Sequence, residues 1–235
     1  MVASSESNSF KRAAAARAME FVTGGMKLGL GTGSTAEAFL ELLAERVRGG
    51  LQIVGASTSE RTAEKARALG IPIADLDTLA PLDLVVDGAD EADASLNLIK
   101  GGGGALLREK IVAASSRRMV VIADDSKLVN RLGAFPLPIE VIAFGHATTR
   151  ERIRAVSAEL GYDNLQPALR LKAGEPFLTD SGNLIYDCRF NAITDVPALA
   201  SALSQITGVV EHGLFIGLAT TLIIAGPNGT KLIER

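Results

Sequence analysis

MKLGLGTGSTAEAFLELLAERV, residues 26–47, carries three structural signals in a row. Met26 to Leu30 is a short apolar run that reads as a strand, and Gly31-Thr32-Gly33-Ser34-Thr35 reads as a turn. Ala36 to Val47 places apolar residues at helical spacing and stops before Gly49-Gly50. The unit recurs, with a strand at Leu51 to Ala56, a helix from Ser59 to Leu69 closed by Gly70, and the strand LDLVV at Leu82 to Val86. A helix from Ala105 to Ala114 and the strand MVVIA at Met119 to Ala123 follow. Strands that are apolar throughout, without alternation, belong to parallel sheets covered on both faces. The expected class is therefore α/β, a doubly wound, mostly parallel, Rossmann-like sheet.

Outward from this centre the pattern changes. Toward the N-terminus, KRAAAARAMEFV at Lys11 to Val22 is rich in helix formers up to Gly24-Gly25, while Ser4 to Ser9 reads as loose and polar. Toward the C-terminus, Phe135-Pro136-Leu137-Pro138 argues against a continuing central strand and marks a boundary. Beyond it, strand (Ile139 to Ala143), helix (Thr149 to Leu160), strand (Ala168 to Lys172), strand (Asn183 to Phe190) and helix (Val196 to Leu203) make up the βαββα part of an inserted, smaller α+β, ferredoxin-like unit. The expected division gives residues 1–131 with 206–235 to the large domain and 132–205 to the small one. Strands after Gly213 are expected to rejoin the first sheet.

Composition narrows the function. The chain of 235 residues is 47% hydrophobic and 22% charged, which is globular composition. Its 24 Lys+Arg against 27 Asp+Glu leave a net charge of −3, so the basic excess of a nucleic-acid binder is missing. The longest nearly apolar run, Leu214 to Gly226, is too short for a membrane span, and MVASSESNSF has no basic region leading into an apolar one. One cysteine, Cys188, cannot form an internal disulfide, which suits a reducing, cytoplasmic setting. With two His, there is little material for a histidine-based metal site. The sequence predicts chemistry by carboxylates, lysines and backbone, with no cofactor and no metal.

Four motifs carry that chemistry. The GTGST turn exposes backbone N–H groups at a helix start and suits a phosphate, although Ser34 or Thr35 could simply cap the helix. It is neither G-x-G-x-x-G nor a Walker loop. Asp87-Gly88-Ala89-Asp90-Glu91-Ala92-Asp93 sets four acids at the carboxyl edge of LDLVV, where open α/β sheets bind ligands; the plainer reading is a polar turn with Asp93 capping a helix. Lys100 followed by Gly101, Gly102, Gly103 and Gly104, with Glu109 in the next helix, puts an oxyanion site beside a carboxylate base. That is the chemistry of proton abstraction next to a carbonyl; its plainer alternative is a linker and a solvated helix face. Ala123-Asp124-Asp125-Ser126-Lys127 ends another strand, and Lys127 could reach a phosphate. His146, His212 and Cys188 read as packing or surface residues.

The ordered set GTGST, DGADE, KGGG…REKI and ADDSK closely resembles the type A ribose-5-phosphate isomerase family. The likeness extends to the helix with Lys11, to TSERT at 58–62 and to LTDSGNLIYD at 178–187. It implies interconversion of D-ribose 5-phosphate and D-ribulose 5-phosphate through an enediolate, in the pentose phosphate pathway, by a homodimer or homotetramer. It assigns substrate binding to Thr32, Gly33, Ser34, Thr35, Asp87, Gly88, Ala89, Asp90, Lys100, Gly101, Gly102, Gly103 and Lys127. Glu109 would be the base, with Lys100 facing the enediolate and Asp87 helping the sugar ring to open. Gly104 and Leu107 depart from the usual pattern of Ala and a Thr-like residue. Two alternatives stand beside this reading: an amino-sugar phosphate deaminase, which would release ammonia, and a sugar-phosphate-sensing domain, which would not turn over.

Overall fold

The computed structural model describes residues 2–235. Its main sheet has six strands in the order Gly229–Glu234, Thr221–Gly226, Met119–Asp124, Leu84–Asp87, Lys27–Leu30, Val54–Ser57. Five run parallel, and the edge strand Gly229–Glu234 is antiparallel to its neighbour. Alternate residues of each apolar strand enter different cores. Leu84, Val86, Val120 and Ile122 pack with Phe39, Leu40 and Leu43, and with Ala14, Ala15 and Ala18. Val85, Val121 and Ala123 face the opposite side and pack with Val112, Ala113, Leu98 and Phe215. Burial on both faces is what removes the alternation from LDLVV and MVVIA.

From Lys27–Leu30 the chain moves to Val54–Ser57 on one side and then to Leu84–Asp87 on the other. The direction of winding therefore reverses between Lys27–Leu30 and Leu84–Asp87, and a crevice opens at their carboxyl ends. GTGST and DGAD lie there.

The inserted unit forms a four-stranded antiparallel sheet in the order Val209–His212, Leu137–Val141, Leu184–Cys188, Ala168–Leu169. With the helices His146–Glu159 and Val196–Ser204 this completes a βαββαβ ferredoxin-like pattern around Ile139, Val141, Ile153, Tyr186 and Leu199. Its last strand, Val209–His212, lies beyond the expected division at 205/206, since it pairs with Leu137–Val141. Pro138 also departs from expectation by lying inside a central strand. Gly213 N–H donates to Pro138 O at 2.8 Å, but proline has no N–H to return. The carbonyl of Gly213 accepts from Lys100 N–H at 2.9 Å instead. The small sheet thereby holds the backbone at Lys100.

Other differences are local. Ser4–Ser9 is not loose but lies within the helix Val2–Ala18, a stretch with no Pro or Gly to break it. The expected strand Ala168 to Lys172 divides, Leu171–Lys172 pairing with Glu175–Pro176 across a turn in which Ala173 and Gly174 have φ of 53° and 90°. Asp93 caps no helix; its Oδ1 accepts from Ser95 and Asn97 N–H, both at 2.9 Å, in a turn between the short strands Glu91–Ala92 and Leu98–Ile99. Among the described residues no helix is long and apolar enough to cross a membrane.

Glu91 is the residue that joins the two units at this corner. Its buried carboxylate accepts from Gly133 N–H at 2.7 Å and Phe135 N–H at 2.6 Å. Glu91→Leu would leave both amides without an acceptor, at about 1–3 kcal/mol for each buried one. Urea unfolding of this variant should show a lower midpoint by at least one such step; an unchanged midpoint would remove Glu91 from this role.

Candidate active site

The crevice at the switch point is a polar cleft. Thr32, Gly33, Ser34, Thr35, Gly88, Ala89, Asp90, Lys100, Gly101, Gly102, Gly103, Glu109 and Lys127 all line it, as does Lys11. Lys11 has no motif of its own; it comes from the first helix, and only the packing of that helix against the sheet brings it here.

One end of the cleft is built for an anion. Helix Ser34–Arg48 begins at Gly33, whose φ of 107° no other residue type adopts readily, and no side chain caps it. Ser34 and Thr35 are thus inside the first turn rather than at the cap, and their N–H groups find no protein acceptor among the described residues. Uncapped N–H groups, the positive end of the helix dipole, Lys11 and Lys127 converge there. Thr32 Oγ1 lies 2.7 Å from Thr58 Oγ1, 2.7 Å from Ser59 Oγ and 3.0 Å from Thr62 Oγ1, so the TSERT segment holds the turn from behind. Asp124 Oδ1 accepts from Ser126 N–H at 3.1 Å and fixes the turn that presents Lys127.

The other end is a buried charge cluster. Lys100 Nζ lies 2.9 Å from Asp87 Oδ2 and 3.2 Å from Glu109 Oε1, and it donates to Gly88 O at 2.7 Å. The three residues are 1–4% exposed. Burial opposes the Lys100 charge, but the two carboxylates outweigh it and hold its pKa above the ordinary range. The carboxylates fare differently, because two of them share one ammonium. Burial raises the Glu109 pKa, Lys100 opposes the rise and Asp87 adds to it, and the result is about 8. Burial also raises Asp87, against Lys100 and the N–H groups of Gly88 and Thr32. The protons belong to the pair, and one carboxyl of the two is the seat of titration near neutrality. With Oε1 on Lys100, Glu109 Oε2 has no hydrogen-bond partner among the described residues.

Asp87 is buried beside Lys100 at the wall of the cleft, with Oδ1 accepting from Thr32 N–H at 3.1 Å and Gly88 N–H at 2.7 Å, so its closest charged contact is Lys100. The acidic run thus divides. Asp90 faces the cleft, Glu91 and Asp93 hold loops, and Asp87 holds Lys100. No group of three metal-ligating side chains forms among the described residues.

The glycine stretch turns back on itself, with Gly104 N–H donating to Gly101 O at 2.9 Å. Gly104 has φ 83°, and a Cβ there would stand 2.4 Å from Phe177 Cζ, so glycine at this position makes room for this ring. TSERT and LTDSGN meet beside Glu109. Asp180 Oδ2 accepts from Glu60 N–H at 2.9 Å, and Arg108 Nη1 bonds Glu60 Oε1 at 2.7 Å. His212 is held neutral: burial, with help from Lys110, lowers its pKa to about 4. Cys188 is buried, and His146 Nδ1 lies 2.8 Å from Tyr186 Oη in the small unit.

Fold and cleft define the class first: an α/β enzyme with its crevice at the switch point of a doubly wound sheet. The family model described as ribose 5-phosphate isomerase A (phosphoriboisomerase A) matches residues 54–229. Ribose-5-phosphate isomerase A of Rhodopseudomonas palustris (strain BisA53) is 59% identical over 229 residues, 97% of this chain and 95% of the relative. The solved ribose 5-phosphate isomerase of Plasmodium falciparum superposes with a TM-score of 0.93 at 36% identity, over 97% of this chain and 99% of that one. A further D-ribose-5-phosphate isomerase structure, in complex with phospho-erythronic acid, gives 0.89 at 39% identity, covering 97% and 98%. The chain belongs to the ribose 5-phosphate isomerase A family and is an isomerase.

The raised Glu109 pKa has a consequence for stability. Folding favours its protonated form, so this contribution is full below pH 4.5 and is lost as pH climbs through about 8. Glu109→Gln escapes that loss. Its stability relative to wild type should grow by about 1 kcal/mol or more between pH 5 and pH 8, since one pKa unit corresponds to about 1.4 kcal/mol. A pH-independent difference in urea midpoint would contradict the cluster's charge arrangement.

Proposed function

We propose that the chain interconverts D-ribose 5-phosphate and D-ribulose 5-phosphate through a cis-enediolate, with Glu109 as the base. The observation that carries the reading is a buried carboxylate with one unpartnered oxygen, held against Lys100 at one end of a cleft whose other end suits a phosphate. The phosphate binds the first-turn N–H groups of Ser34 and Thr35, with Lys11 and Lys127 supplying charge. Asp90 accepts from sugar hydroxyls. Glu109 Oε2 takes the proton from C2 of the open-chain aldose and returns it to C1, since one carboxylate above a planar enediolate reaches both carbons. As Glu109 becomes neutral, Lys100 is released from half of its anionic surroundings and turns toward the enediolate oxygens, where the glycine-loop amides add donors. Asp87 acts through Lys100 rather than on the sugar. A base with a pKa near the working pH is well matched to this double transfer.

A relative's complex with phospho-erythronic acid fits this reading, because this acid is a phosphorylated aldonate, carrying a carboxylate as well as a phosphate. The product would enter the pentose phosphate pathway. Family membership weighs against the deaminase and the sensing-domain alternatives.

Purified protein given ribose 5-phosphate should yield a ketopentose phosphate, and no ketose at any enzyme concentration would end the proposal. Glu109→Gln should lower kcat by roughly 10²–10⁴ while phospho-erythronic acid still binds. Lys127→Ala should chiefly raise KM, whereas Lys100→Ala should lower kcat by on the order of 10² or more. Equal effects of the two lysines on kcat and KM would show that the ends of the cleft are misassigned. Because its acids are already partnered or separated, activity should survive prolonged dialysis against a chelator; a loss restored by one particular metal would contradict this.

A further inference from the structure

Arg170 stands outside the cleft, between the short strands Ala168–Leu169 and Leu171–Lys172. Its guanidinium forms a two-pronged pair with Asp187, with Nε 2.9 Å from Oδ2 and Nη2 on Oδ1. The remaining nitrogen, Nη1, reaches the glycine loop and donates to Gly101 O at 2.9 Å and Gly102 O at 3.2 Å. The guanidinium carbon lies 5.9 Å from the Phe177 ring centroid, the ring that fills the space beside Gly104. Arg170, Asp187 and Phe177 do not line the cleft, whereas Gly101 and Gly102 do.

Its effect on the cleft follows from peptide geometry. A trans peptide unit points its C=O and its N–H in opposite directions. Gly101 C=O shares a unit with Gly102 N–H, and Gly102 C=O with Gly103 N–H. One guanidinium holding both oxygens from outside therefore turns both N–H groups inward. Gly102 N–H fits this sense, donating at 2.7 Å to Asp90 Oδ2 at the cleft wall. Gly103 N–H finds no acceptor among the described residues. A charged donor on a carbonyl also polarises the peptide unit and strengthens its N–H as a donor.

We propose that Arg170 is a positioning residue for the isomerisation: by gripping two loop carbonyls from behind, it aims the Gly103 amide at the oxygen that becomes negative in the enediolate. Asp187 keeps the guanidinium plane in register for that grip. Lysine cannot replace it, because a single ammonium lacks the planar fork that serves Asp187 and both carbonyls at once. The assignment rests on the enediolate reading given above and adds to it a residue of the small unit.

The test compares wild type with Arg170→Lys and Arg170→Gln. In both variants kcat should fall by on the order of 10- to 10²-fold, as for a misaimed catalytic group, while KM for ribose 5-phosphate changes little. Affinity for a phosphorylated hydroxamate that mimics the enediolate should fall in parallel with kcat, and inorganic phosphate should bind as in wild type. A kcat within about twofold of wild type, or a lower kcat with the hydroxamate's affinity retained, overturns the assignment. Where a variant folds poorly, the wild-type protein carries the test. The Gly103 amide proton resonance should move when the hydroxamate is added, and a fixed resonance overturns the assignment. Absence of ketose from wild type would instead overturn the isomerase reading, so the two failures are distinguishable.

Discussion

One ammonium group, Lys100 Nζ, sits almost fully out of water between Asp87, Glu109 and the carbonyl of Gly88. An isolated charge in that position would be strongly destabilising, and each partner exists in relation to it. Asp87 comes from the end of Leu84–Asp87, Lys100 from just past Leu98–Ile99, and Glu109 from the helix Leu106–Ala114. The cluster therefore ties three elements together and fixes the glycine loop between the last two. Because the negative charges outnumber the positive one, the cluster has room for a proton near neutral pH. In the proposed reaction, the same imbalance that weakens folding as pH rises is what would make Glu109 a base.

The inserted unit is built around that loop and helix. Gly213 O accepts the backbone N–H of Lys100, a bond available because Pro138 cannot make it. Arg108 and Asp180 bind the start of helix Glu60–Ala68 beside Glu109. Lys110 donates to Glu211 Oε1 and His212 O, both at 2.7 Å, and lies 5.0 Å from the centroid of the Phe215 ring, to which Lys100 lies 5.5 Å. These ties run through Arg108 and Lys110, the immediate neighbours of Glu109. The helix is thus held on both sides of Glu109, which limits how far its carboxylate can move relative to the cleft.

What could be read from sequence followed from signals that need several residues. Apolar runs such as MVVIA and glycines after helices identified the parallel sheet, because burial on both faces leaves a continuous apolar stretch. Two-residue strands such as Glu91–Ala92, Leu98–Ile99 and Leu214–Phe215 have no period to detect, so the small sheet leading to Lys100 went unseen. Val209–His212 was missed because its outer position leaves a mixed composition, and the domain division fell short of it. The motif residues converge as expected, but the burial of Asp87 against Lys100 was not legible, since four acids in seven residues do not reveal which ones face inward. Lys11 and Arg170 lie in no glycine or acid motif. One is brought in by helix packing and the other grips backbone oxygens, which leave no trace in side-chain pattern.

Glu109 and Asp87 compete for the single charge of Lys100. Titration of the Glu109 carboxyl carbon by NMR, in wild type and in Asp87→Asn, tests it directly. The wild-type midpoint is expected near 8, with a clear downward shift in Asp87→Asn, where the competing carboxylate is gone. A midpoint near the ordinary 4.5, or one that does not move when Asp87 is replaced, would contradict it.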